Sequence, residues 1–379
     1  MKKRLLAAVL CLVLVLAAVP LSAGAESTYL ARAQEEQKRF AAELTNGSLG
    51  WNTLGVALYF YSEALDEESQ MVDSEKAALG TLKEYYQRIT ELNMSGKRDG
   101  EGWGGTADNR HGGLEFLTGL TSLNLSNTDI NNLGPLVNLI NLTWLDVSNN
   151  PINSTTDNDR IWEPLKNLDR LEYLNISNTN VAMIESIWNG TSSELPALKT
   201  LIAQNLTLTS ISGLARIAQA NGFDARGVTW DFTNSTLDGT DDLLHVQIIA
   251  AAFAEDGNAD GFTAPAVAGA VAAFNNVPYA TLADALTAAS GQSGTITLLT
   301  DGSHELSGAI PSGVTLVVGN GQTVTVSSGN AATVLNSRGK IEVQTGGTVD
   351  LPTADGITGC KIAQGSIAWD VSTGDFYGM

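Results

Sequence analysis

A leucine spacing that returns along the middle of the chain restricts the possible folds more than any other feature. Leu120-x-x-Leu123-x-Leu125-x-x-Thr128-x-Ile130 is followed 22 residues later by Leu142-x-x-Leu145-x-Val147-x-x-Asn150-x-Ile152, and a further 29 later by Leu171-x-x-Leu174-x-Ile176-x-x-Thr179-x-Val181. A fourth copy starts at Leu198 (Leu201, Ala203, Leu206, Leu208) and a degraded fifth at Gly227 (Trp230, Phe232, Ser235, Leu237). A unit this short cannot bury its own apolar face, so the copies must stack on one another. In each copy the fourth and sixth positions send alternate side chains of a short strand inward, and the ninth turns the chain out of the strand while bonding neighbouring backbone.

These copies resemble the leucine-rich repeat family. With Leu117-x-x-Leu120 and Leu139-x-x-Leu142 added, the 22-residue unit is similar to that of bacterial internalin-like surface proteins. The resemblance covers residues 114–238 and implies an α/β repeat solenoid with a concave recognition face, its first repeat closed by a helical cap. Asn150 alone holds the family's usual asparagine at position nine, with Thr128, Thr179, Leu206 and Ser235 elsewhere, so a broken asparagine ladder is expected.

Around this centre the chain divides further. Lys2, Lys3 and Arg4 precede an apolar run from Leu5 to Val19, and Ala23-Gly24-Ala25 offers a small-x-small cleavage pattern, so residues 1–25 read as a secretory signal peptide. Removing it takes Cys11 and leaves Cys360 alone, which excludes an intramolecular disulfide. An exported protein that does not span a membrane after cleavage is therefore expected, secreted or at the extracellular surface. Residues 26–113 read as the helical cap and a Gly-rich loop: Leu30, Phe40 and Leu44 share one helical face, and Leu79, Leu82, Tyr86 and Ile89 repeat at three and four. Gly100, Gly102 and Gly105 carry the spacing of a dinucleotide fingerprint, but no strand precedes them and no helix follows.

Residues 239–276 read as a helical connector, with Ala-rich helices at Asp241–Phe253 and Thr263–Phe274. Residues 277–379 read as a Gly-rich β module: a helix at Thr281–Ala289, then short strands at Thr295–Leu299, Val314–Val318, Thr323–Val326, Lys340–Val343 and Thr348–Leu351. Short strands with a Gly-rich turn about every ten residues suggest a sandwich or a parallel β-solenoid. The run from Tyr279 through Ile310 to Leu316 resembles the start of right-handed β-helix modules of bacterial surface proteins.

Net charge is −20, with 41 acids against 21 bases. Without a basic stripe a nucleic-acid partner is excluded. Catalysis finds little footing. His111, His245 and His304 lie in separate segments, no metal-binding His or Cys motif occurs, and neither a nucleophile elbow nor a phosphate loop is present. Neither a cofactor nor a metal is expected. Asp256, Asn258, Asp260 and Gly261 match the first half of a calcium loop, yet Ala264 and Val267 stand where the second half needs oxygen ligands, so an acidic turn is the simpler reading. Cys360 reads as a structural thiol. A lyase-like polysaccharide enzyme in the β module, with Arg338 and Lys340 opposite Asp350 and Asp355, is the alternative; a non-binding structural surface component is another.

Counting along the solenoid places the candidate ligand-binding residues on its concave face. Trp144 and Tyr173 fall side by side on adjacent strands, next to a polar column of Asn124, Asp146 and Asn175, with Asp231 at the same position of the fifth copy. Aromatic anchors ringed by small polar groups suit a protein or glycan at a cell surface, and recognition or adhesion without chemistry is the function expected.

Overall fold

The computed structural model describes residues 28–97, 113–154, 160–184, 195–220, 222–238, 242–327, 329–334, 337–351, 360–363, 369–370 and 375–376. The signal peptide, the glycine fingerprint, His111 and Asp355 lie outside them. The chain forms two compact units, residues 1–206 with 227–230, and residues 207–226 with 231–379.

Among the described residues the first unit begins with the helices α1 (Thr28–Asn46), α2 (Trp51–Asp66) and α3 (Asp73–Gln87). Leu30, Phe40, Leu54, Leu58, Leu79 and Tyr86 bury between them, while Leu44 is only half-buried. The Phe40 and Tyr86 rings meet edge to face at 5.8 Å. Glu75 caps α3 by accepting from the Val72 N–H at 2.9 Å, which satisfies an otherwise orphaned donor at the helix start.

Parallel strands follow, three residues each: β1 (Glu91–Asn93), β2 (Ser122–Asn124) and β3 (Trp144–Asp146). After the two-residue β4 (Asn153–Ser154) come β5 (Tyr173–Asn175), the two-residue β6 (Asn180–Val181) and β7 (Thr200–Ile202). The order β1-β2-β3-β5-β7 is a parallel ladder in which Leu92, Leu123, Leu145, Leu174 and Leu201 are registered neighbours. Thr229 extends the ladder by donating its N–H to the Lys199 carbonyl at 2.7 Å. Leu123, Leu145, Leu174 and Leu201 are completely buried, and burying each side chain contributes about 1.5–3 kcal/mol. This is an α/β repeat fold.

The ladder begins one rung earlier than the leucine count. Ile89, Leu92 and Met94 take positions one, four and six of a further copy and are buried; residues 91–93 therefore leave the helical segment expected for them. A second regularity accompanies it. Position eight is Asn127, Asn149, Asn178, Asn205 and Asn234 in the five copies, all at positive φ between 54° and 59°, and Gly96 takes the place in the added rung at 70°. Only glycine and short polar residues adopt this left-handed conformation cheaply. In four of these six it aims the backbone amide at the next rung: Gly96, Asn127, Asn149 and Asn178 donate to Ser126, Ser148, Ser177 and Gln204 carbonyls at 2.9–3.0 Å.

Asparagine thus recurs at position eight in all five copies, whereas position nine carries it only at Asn150. At position nine the hydroxyls of Thr128 and Thr179 close the turn on the Leu125 and Ile176 carbonyls at 2.6 and 2.7 Å. We expect Asn178→Gly to leave stability nearly unchanged and Asn178→Val to cost about 1–2 kcal/mol, read as a shift in the urea midpoint; equal stability of the two variants would remove the backbone argument.

The second unit opens with β8 (Thr207–Leu208) and α4 (Ser212–Ala218); β9 (Thr229–Asp231) gives Thr229 and Trp230 to the first unit and Asp231 to the second, where β10 (Thr236–Leu237) follows. The helix α5 (Asp242–Glu255) matches expectation. Thr263–Phe274 is extended instead of helical: β11 (Phe262–Thr263), β12 (Ala266–Val267) and β13 (Ala272–Phe274) occupy it. Pro265 removes a helical donor, Gly269 takes a φ of 78°, and ladder bonds outweigh the alanines: β12 joins β10, which also pairs with β8. A hairpin turn at Asn275 and Asn276, both at positive φ, then returns the chain as β14 (Val277–Tyr279).

The helix α6 (Leu282–Ala288) is capped by Thr281, whose hydroxyl accepts from the Asp284 N–H at 3.1 Å. Strand pairs then alternate between two sheets. Strands β15 (Gly294–Leu298), β17 (Val314–Val318) and β19 (Lys340–Val343) stack parallel in one, and β16 (Gly302–Glu305), β18 (Gln322–Thr325) and β20 (Thr348–Leu351) in the other. Between β18 and β19 lies the one-turn helix α7 (Ala331–Val334), and β21 (Cys360–Ala363) adds antiparallel to β20. Leu298, Leu316, Val318, Val324, Ile341, Val343 and Val349 form the core. Among the described residues no helix is long and apolar enough to cross a membrane.

Candidate functional site

Because side chains alternate along a strand, burying positions four and six turns positions three, five and seven to the opposite face. The position-three row crosses the first unit's sheet as Glu91, Ser122, Trp144, Tyr173 and Thr200, in register. Trp144 and Tyr173 stack with centroids 5.0 Å apart and planes 9° from parallel. That separation is close to the spacing of neighbouring strands, so each ring stands on its own strand and the pair shares one face. Both residues are half-buried. Burial raises the Tyr173 hydroxyl pKa above its ordinary value, and the nearby Asp146 charge adds to the effect.

The position-five column serves the backbone as well. Oδ1 of Asn124, Asp146 and Asn175 accepts the N–H two residues on, at Ser126, Ser148 and Ser177, at 2.8–3.0 Å. These Asx turns end each strand and lead into the left-handed asparagine. Asn93 makes the same bond to the Ser95 N–H at 3.0 Å. Asn175 Nδ2 donates to Asp146 Oδ2 at 3.2 Å, which couples two members of the column. A carboxylate has about four acceptor sites, so Asp146 keeps capacity for a ligand after both bonds.

In the second unit, Asp231 makes the equivalent turn, accepting from the Thr233 N–H and hydroxyl at 2.8 and 2.6 Å. Asp256 Oδ2 accepts the Ala225 N–H at 2.7 Å and Asn258 Nδ2 donates to the Ala225 carbonyl at 2.7 Å. Two of the calcium-like residues therefore clamp a backbone segment, while Asp260 is exposed. Among the described residues no group of three or more His, Cys, Asp or Glu side chains could hold a metal ion.

His245 Nδ1 lies 4.0 Å from Asp242 Oδ1 on α5. His304 occupies an inward position of β16, registered with Val324, and its Nε2 meets the Thr300 carbonyl at 2.8 Å. Strand β16 therefore leaves no signature in the sequence: Gly302-Ser303-His304-Glu305 offers no apolar alternation, and a satisfied histidine fills the core position. Lys340 lies on β19 of one sheet and Asp350 on β20 of the other.

No family model matches the chain, and no curated protein matches it. Among solved structures it is similar to three from Listeria monocytogenes. An internalin (inlF) aligns at 14% identity and a TM-score of 0.34 over 73% of this chain and 65% of that one. Internalin C2 aligns at 20% identity and 0.23, over 46% and 80%. The functional domain of InlJ, which includes a cysteine ladder, aligns at 12% and 0.23, over 69% and 70%. The chain thus spans just under two thirds of the first of these structures.

Proposed function

We propose that this is a secreted or cell-surface recognition protein of leucine-rich repeat, internalin-like type. Its ligand, a protein or glycan, seats on the concave face of residues 114–238. The observation that carries this reading is the half-exposed Trp144–Tyr173 stack at the centre of the ladder. Large rigid rings contribute contact area at low entropic cost and dominate many binding surfaces. Asn124, Asp146 and Asn175 form the polar border beside the stack, and Asp231 is the equivalent position of the fifth copy. The helices of residues 28–87 act as the cap of the repeat array, residues 1–25 direct export, and the alternating parallel sheets of residues 294–351 are a β-helix-like module without catalytic duty.

The decisive test is the double variant Trp144→Ala/Tyr173→Ala screened on glycan and host-protein arrays. Any ligand verified for the wild-type protein should lose binding by at least about tenfold, about 1.4 kcal/mol. Retained binding would leave the stack as a cross-strand support of the sheet.

A further inference from the structure

We propose that the slot above Ser122, between Trp144 and Glu91, seats one arginine side chain of a protein partner, a reading that rests on the recognition role proposed above. Glu91, Ser122 and Trp144 are registered neighbours on three consecutive parallel strands. Two strand spacings separate the outer pair, about 9.6 Å between backbones. Tyr173 covers one face of the Trp144 ring at 5.0 Å, with the rings nearly parallel. The other face of Trp144 therefore looks along the row toward Ser122, whose side chain is too small to fill the space. Beyond Ser122 stands Glu91, which is exposed.

An indole wall, a hydroxyl floor and a carboxylate wall match a guanidinium better than any other side chain. Guanidinium is planar and stacks on an indole, and its edge presents parallel N–H donors to a carboxylate. A lysine ammonium fits less well because it lacks the planar face that stacks on the indole and the parallel donors that meet a carboxylate. The flank beyond Tyr173 is different in kind, since its registered neighbour is the uncharged Thr200.

Charge selects the same partner. The outward positions three, five and seven of β1, β2, β3, β5 and β7 carry Glu91 and Asp146 and no lysine or arginine. Among the described residues no base pairs with either acid. An acidic glycan would be repelled by this face and by the chain's net charge of −20, whereas a basic protein segment is steered toward it.

The probe is a fluorescein-labelled peptide of alternating glycine and arginine, compared at low salt with the same peptide carrying citrulline, which keeps the shape and removes the charge. Fluorescence anisotropy with the full chain should show saturable binding of the arginine peptide. Citrulline or Glu91→Gln should weaken it about tenfold or more, and Trp144→Ala should abolish it. Ser122→Arg, which leaves both walls in place and fills the slot from within, should also abolish it with an unchanged circular dichroism spectrum. Equal binding of the two peptides, no binding of either, or indifference to Glu91→Gln would overturn the slot. The recognition role survives that failure if array ligands still depend on Trp144 and Tyr173, and falls with it if they do not.

Discussion

Replacing Asn150 by alanine should lower the stability of the repeat array by about 3–5 kcal/mol, the largest loss we expect from any single polar truncation in it. Asn150 is 3% exposed and reaches two rungs at once. Its Nδ2 lies 2.7 Å from the Leu125 carbonyl on the preceding rung, and 2.9 and 3.1 Å from the Val147 and Ser148 carbonyls on its own. Its Oδ1 accepts the Thr128 N–H at 2.9 Å. Two amide hydrogens serve three carbonyls, so truncation removes two good donor bonds and one acceptor bond. It also strands buried groups on the preceding rung that water cannot reach, each costing about 1–3 kcal/mol.

Thr179→Ala is the contrast, because among the described residues that hydroxyl bonds only the Ile176 carbonyl within its own rung and should cost about 1 kcal/mol. Urea unfolding followed by far-ultraviolet circular dichroism separates the two. Similar losses for both would mean that Asn150 does not couple neighbouring rungs. A fall in the denaturant slope for Asn150→Ala alone would instead report rungs unfolding separately, the expected failure of a linear array whose nearest-neighbour coupling is cut.

The same residues mark how far the sequence can be read. The rungs are legible because Leu123, Leu145 and Leu174 repeat a strong apolar spacing, and Trp144 and Tyr173 can be placed side by side by counting alone. The added rung at Ile89, Leu92 and Met94 is hidden because it follows a helix whose three-and-four spacing already accounts for Ile89. The ladder of position-eight asparagines is in plain view, but its signal is a backbone angle and not burial, so an apolar count passes over it. The double duty of Asn124, Asp146 and Asn175 is hidden for a similar reason: an Asx turn depends on the chain direction after the strand, which spacing does not report. In the second unit, alanine-rich residues 263–274 suggest a helix, but propensity is a weak prior, and pairing with neighbouring strands overrides it.

Gly119→Ala should destabilise the first unit by about 3 kcal/mol, although Gly119 has an ordinary backbone conformation and lies in a turn where alanine would normally be harmless. The reason is proximity. A Cβ at Gly119 would overlap the Gln87 carbonyl oxygen, lie 2.8 Å from its carbon, and approach the Ile89 carbonyl oxygen at 3.2 Å. Gln87 ends α3 and Ile89 opens the first rung, so the obstacle is backbone at the junction of helix and ladder and cannot rotate away.

Relief requires the end of α3 to move off the turn at Gly119, which would loosen the bonds by which Thr121 and Ser122 donate their N–H groups to the Thr90 carbonyl at 2.8 and 3.1 Å. Hydrogen exchange should therefore quicken at Thr121 and Ser122 before it changes at Trp144 or Tyr173. Gly80→Ala is the matched control. Gly80 lies within α3, where an added methyl group would meet nothing within 4 Å, and alanine there should stabilise by about 0.5–1 kcal/mol through helix propensity and reduced unfolded-chain entropy. If Gly119→Ala were as mild as Gly80→Ala, the helices would be a loosely attached neighbour of the ladder. A loss confined to Gly119→Ala, with exchange rising first at β2, would support their role as a cap that protects the leucines of the first repeats.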